Sequence, residues 1–142
     1  MKGSKDILSS VLKTTQMGQV GIRAVMNRAV GTDIKQQLRS QLQEYDSIER
    51  QPHAIASSRG WDLEELDPAV KFMAGTMSKM QLMTGAIDSK VAAMMIQGNT
   101  KGMIKSLKNI HRYDNNDPQV SNLAQKLLDC ESANIQQMQG FV

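Results

Sequence analysis

Residues 90–110 read KVAAMMIQGNTKGMIKSLKNI, and this stretch decides the fold. Ala92, Met95, Met103 and Ile110 fall on one arc at helical spacing, with no period-two alternation, so the segment is predicted as one long amphipathic helix. Two glycines, Gly98 and Gly102, stand in its middle, where each costs roughly 1 kcal/mol relative to Ala. Their spacing of four places both on one strip, bordered by the apolar arc and by a row of Lys90, Lys101, Lys105, Lys108 and Arg112. Small residues at that spacing let another helix backbone come near. The first helix offers a matching strip at Gly18 and Gly21, so the expectation is that the two strips pack together. The rival reading is that the glycines clear room for a ligand or partner beside the lysines.

Working outward, the same period recurs in both directions. A first helix capped by Ser4 or Asp6 runs to about Val30, with Ile7, Leu8, Val11, Leu12, Ile22, Val25, Met26 and Ala29 facing inward and Gly31 ending it. A second, capped by Thr32 or Asp33, reaches about Ser58 and turns Ile34, Leu38, Leu42, Tyr45, Ile48 and Ile55 inward. Pro52 lies inside it and is expected to bend the helix or split its last turn. In SRGWDLEELDP, Gly60 suits the left-handed position past a helix end, and Trp61 can fold back onto the last turn.

Pro68 opens a shorter third helix ending near TGAIDS. Its Met73, Met77 and Met80, with Val70 on the same arc, are expected to be core, although a methionine stripe also suits an adaptable binding surface. Asp88 or Ser89 caps the 90–110 helix, which runs to about Tyr113. DNNDP is a turn, and Pro118 opens a fifth helix carrying Val120, Leu123, Ala124, Leu127, Leu128, Ile135 and Met138.

Short turns join the first two and the last two helices, so each pair is predicted to be an antiparallel hairpin. The predicted fold is therefore all-α: a ferritin-like bundle of four long helices with the shorter third helix as crossover, in one domain spanning 1–142. An ordinary five-helix bundle is the alternative.

Composition agrees with this reading. Hydrophobic residues make up 40% and charged residues 22%, and scarce aromatics (4%) beside eleven methionines suit helix packing better than a sandwich of sheets. A net charge of +3 is too mild to imply nucleic-acid binding, and the basic row has no interleaved aromatics for base stacking. That row is expected to be a solvated face, with an acidic partner or anionic headgroups as the functional reading. The first residues form no signal peptide and no segment approaches a membrane span, so a cytoplasmic protein is expected. Cys130, the one cysteine, excludes an internal disulfide and reads as a small residue on a helix.

The segments EYDSIERQPHAIASSRGWDLEELDPAVKFM, SKVAAMMIQGNTKGMIKSLKNI and AQKLLDCESANIQQMQGF resemble a family of small uncharacterised bacterial helical proteins. An RGW helix end, an MMIQG-x-T-x-G segment and a polar E-x-x-N-I near the C-terminus carry the resemblance, which runs from about Ile7 to Phe141. More distantly the hairpin pair is similar to ferritin-like and spore-coat-associated bundles. The resemblance implies the fold and assigns no reaction.

A ferritin-like fold raises the possibility of a carboxylate-bridged di-iron site, which needs a Glu on each of two helices and Glu-x-x-His on each of the other two. Here the pattern fails. The first helix has no Glu, with Gln19 on its inner arc, and the fourth has no acid beyond Asp88. Glu49 and His53 are spaced by four with Pro52 between them, and His111 sits at a helix end. No P-loop, nucleophile elbow or HExxH occurs. No catalytic residue, cofactor-binding residue, metal ligand or cofactor is therefore assigned. The expected function is non-catalytic, through a protein partner or a homo-oligomer. The alternative is a degenerate ferritin-like protein with a metal or small ligand in the bundle core, which clustering of Glu49, Glu131 and His53 would favour.

Overall fold

The computed structural model describes residues 3–73, 87–114 and 117–142. Four long helices dominate: α1 (Ser4–Met26), α2 (Thr32–Ser58), α4 (Ile87–Arg112) and α5 (Pro118–Gln139). The helix α3 starts at Pro68, as the proline at its first position predicts, and is described over residues 68–73. Among the described residues there is no β-strand.

Contacts between named residues fix the helix directions. Gly18 of α1 lies on the Tyr45 ring of α2, while Gln16, two residues earlier, reaches Glu49, four residues later, so these helices are antiparallel. Asn99 meets Asn134 and Ser106 meets Glu131, which makes α4 and α5 antiparallel as well. Between hairpins, Asn109 of α4 donates to Ser10 of α1 while Gly21 sits beside Met95, again antiparallel. Two hairpins side by side, linked by a segment that carries α3, give an all-α bundle with the connectivity expected from the loop lengths. The core runs through all four long helices and includes Leu8, Val25, Leu38, Ile48, Val91, Ala92, Leu127 and Met138.

Helix ends show where local sequence chemistry operates. At the end of α2, Gly60 has φ of 68°, Gly60 N donates to Ser57 O and Trp61 N donates to Ala56 O. This paired reverse turn needs a left-handed residue, which glycine supplies without Cβ strain, and it returns Trp61 to the core edge. The Arg59 guanidinium lies 5.2 Å from the Trp61 ring centroid and pairs with Asp117, the residue that caps α5 by accepting from Gln119 N. Pro52 is buried inside α2 without splitting it.

Several expectations fail at the ends and in the connector. Helix α1 stops at Met26 rather than about Val30, and Gly3, not Ser4 or Asp6, is its N-cap. The amides of Val30 and Gly31 instead donate to Asp88, at 2.7 and 2.8 Å, so this acid holds the α1–α2 turn across the bundle. Gly31, not Thr32 or Asp33, is the N-cap of α2. In α3, Val70 and Met73 are exposed, 43% and 61%, rather than core; Met77 and Met80 lie outside the described residues.

Candidate functional site

The most unusual chemistry sits in the middle of the bundle. On α4 the inward row reads Ala92, Met95, Asn99, Gly102, Ser106 and Asn109, alternating steps of three and four. On α5 the matching row reads Val120, Ala124, Leu127, Glu131, Asn134 and Met138. Such rows normally carry apolar knobs. Here Asn99, Ser106, Asn109, Glu131 and Asn134 are all buried at 5% exposure or less.

Burial of polar groups is tolerated only when they are paired, and these are. Tyr45 Oη donates to Asn99 Oδ1 at 2.6 Å, and Asn134 Nδ2 donates to the same oxygen at 3.2 Å. Asn99 Nδ2 turns back to Met95 O at 2.7 Å. Next along the axis, Ser106 Oγ donates to Glu131 Oε1 at 2.8 Å. Beyond that, Asn109 Nδ2 donates to Ser10 Oγ at 2.7 Å and the hydroxyls of Ser4 and Tyr113 are hydrogen-bonded at 2.5 Å.

Glu131 is the most demanding member. It is 1% exposed, and burial pushes its carboxyl up to about 7, opposed by the Ser106 hydrogen bond and the Lys105 charge. Its seat exists because Gly102 has no side chain: a Cβ there would overlap Glu131 Oε2 and lie 2.9 Å from Cδ. One of the two central glycines is thus explained. The other has no such neighbour, since a Cβ on Gly98 would meet no atom within 4 Å outside its own stretch of helix.

The expected meeting of small strips on the first and fourth helices therefore does not occur. Gly102 accommodates a carboxylate from α5, Gly98 faces open space, and Gly18 fits the Tyr45 ring, where a Cβ would come within 2.7 Å of Cε2. Only Gly21 faces α4, where a Cβ would stand at an ordinary 3.8 Å from Met95 Cε. The close approaches sit within the two hairpins, Gly18 against the Tyr45 ring and Gly102 against the Glu131 carboxylate.

A second polar group lies between α1, α2 and the chain after Trp61. Gln19 Nε2 donates to Glu49 Oε2 at 2.5 Å, and Gln16 Nε2 stands 3.4 Å from both Glu49 Oε1 and Glu65 Oε1. Gln16 Oε1 accepts from Leu66 N at 2.8 Å, and the exposed His53 Nε2 is 3.5 Å from Glu65 Oε1. Glu49 and His53 thus belong to this group, and Glu131 to the other; the three do not cluster. Among the described residues no group of three or more His, Cys, Asp or Glu side chains is disposed to hold a metal ion. Cys130 is buried, and burial pushes its thiol up to about 12, which disfavours the thiolate.

Lys101, Lys105, Lys108 and Arg112 are exposed on α4, and Lys90 at its start is half-buried. Ile104 and Leu107 share this solvent side, 47% and 37% exposed. Sequence reasoning missed Asn99, Asn134, Ser106 and Glu65. For the first three a signal existed: each occupies the step-three, step-four row of its helix. Glu65 had none, because the segment carrying it has no period.

No family model matches the chain, and no curated protein matches it. Its fold is similar to that of a solved structure described as a DUF305 fragment from Deinococcus radiodurans. The two are 15% identical over 96% of this chain and 93% of that one, with a TM-score of 0.75. DUF305 is a helical domain of unknown function. The likeness shows the helical fold alone. Among the described residues no helix is long and apolar enough to cross a membrane.

Proposed function

We propose that the protein is a non-catalytic bundle acting in the cytoplasm through protein contacts, and that the solvent face of α4 makes them with an acidic partner surface. The observation carrying this reading is that Ile104 and Leu107 are exposed beside Lys101, Lys108, His111 and Arg112. An apolar strip flanked by cations matches a partner face with apolar anchors and carboxylates. The buried polar rows support the same reading, because their groups are spent on one another and on holding α4 in place.

A photo-crosslinking side chain at Ile104 tests it, with one at Gln43 on the exposed side of α2 as control. The expected result in host cells is a discrete adduct from position 104 only, lost on Lys101→Glu with Lys108→Glu and weakened by salt. Salt-sensitive binding to anionic vesicles with no protein adduct would replace this reading with a membrane surface. The alternative, a degenerate ferritin-like protein with a metal or small ligand in its core, gains ground if protein purified natively carries stoichiometric metal that Glu49→Ala removes.

A further inference from the structure

Glu131 does more than fill space between α4 and α5. Its carboxylate is inside the bundle, with Ser106 as hydrogen-bond donor and the bare backbone of Gly102 beneath it. No cation among the described residues reaches ion-pair distance from it. Among the described residues the groups facing it are few. From α4 they are Lys105, whose charge favours the ionised form, and Ser106; from α2, the Tyr45 phenol. From α1 comes Thr14, whose methyl faces Gly102 and which does not titrate; on α5 itself, the Cys130 thiol. Among the described residues one flanking ammonium and one hydroxyl offset a charge placed there, and a buried charge so weakly compensated is costly.

We propose that Glu131 is a proton-operated catch: protonated, it locks α5 against Gly102 and Ser106 of α4, and its ionisation loosens that hairpin. The layer it disturbs is the one that holds Asn134 and Asn99 in register, so the loosening spreads to the Tyr45–Asn99–Asn134 network one turn away. The direction follows from linkage. The carboxyl is raised from 4.5 to about 7 in the folded protein. Between those values the unfolded or opened chain releases a proton that the closed bundle keeps, so rising pH favours opening. Closure is fully supported below the lower value, weakens as pH rises through the window, and is constant again above the upper one.

Hydrogen exchange on the full chain, corrected for intrinsic rates, tests this over segments 99–109 and 127–138 at about pH 5 and about pH 8. The expected result is that the opening equilibrium of the natural protein rises by up to about tenfold per pH unit within the window, while that of Glu131→Gln, which keeps the shape but cannot ionise, stays flat. Lys105→Ala should move the transition to higher pH. Equal pH profiles for the natural protein and Glu131→Gln would overturn the proposal. So would a side-chain carboxyl NMR titration of the natural protein that finds Glu131 in the ordinary carboxylate range, a measurement that stands even if the Gln variant does not fold.

Discussion

Two levels of one bundle are built on opposite chemistry. At one end, Val25, Ile34, Leu38, Val91, Ala92 and Met138 close the inward positions with apolar atoms, each buried to 2% exposure or less. Further along the same rows stand Tyr45, Asn99, Gly102, Glu131 and Asn134. The apolar level gains from area removed from water, an effect without direction. If a helix slides by a turn there, apolar atoms still meet apolar atoms. The polar level has direction: a slide of one turn takes Asn99 from both Tyr45 and Asn134 and strands a buried amide, at roughly 1–3 kcal/mol. Our hypothesis is that the apolar end supplies stability and the polar middle selects the register.

The largest effect should come from the apolar end. Leu38 is 0% exposed, and Leu38→Ala should lower unfolding free energy by roughly 2–5 kcal/mol, read from urea denaturation. A loss below 1 kcal/mol, on the order of a surface change, would mean that this end does not carry the stability assigned to it.

Next comes the seat of the carboxylate. Gly102→Ala gains helix propensity but drives a methyl into Glu131, so the net effect should be a loss of roughly 1–3 kcal/mol. In a Glu131→Ala background the same change should be neutral or stabilising. A double-mutant cycle that shows no coupling would separate Gly102 from Glu131 and remove the account of that glycine.

A smaller effect is expected at the hydroxyl that ties α2 to the middle level. Tyr45→Phe keeps the ring on Gly18 and removes only the hydrogen bond to Asn99, which still accepts from Asn134. The expected loss is roughly 0.5–1.5 kcal/mol. If register selection is the purpose, the variant should also show broadened amide signals for α4, which a purely energetic loss would not produce.

The same contrast explains what could be read in advance. The four long helices, the Gly60 reversal and Pro118 at the start of α5 were legible because periodicity and capping act within a few residues. The turn from α1 into α2 was not legible because Asp88, distant in sequence, holds the amides of Val30 and Gly31. The polar middle was half legible. The two motifs behind the family resemblance, MMIQGNTKG and ESANI, prove to face each other through Asn99–Asn134 and Gly102–Glu131. Nothing local in either motif could announce the other. The exposure of Val70 and Met73 was not legible at all, because a methionine stripe has the same spacing whether it faces a core or water.

The smallest expected effect separates the two glycines that a helical wheel treats alike. Gly98 and Gly102 share a strip on α4, yet only Gly102 has a neighbour in its side-chain space. Gly98→Ala should therefore recover helix propensity and stabilise the protein by roughly 0.5–1 kcal/mol. Gly98→Leu should also be tolerated by the isolated chain, since its side chain would extend into open space. The basic row and Ile104 flank that position, so Gly98→Leu in the host also asks whether a partner needs the space the glycine leaves. A raised melting temperature with an unchanged crosslink from position 104 would make Gly98 a mere gap in propensity. A raised melting temperature with the crosslink abolished would make the bare backbone part of the docking face. A lowered melting temperature in the isolated protein would contradict the open space seen around Gly98 and return it to the packing role that only Gly102 now holds.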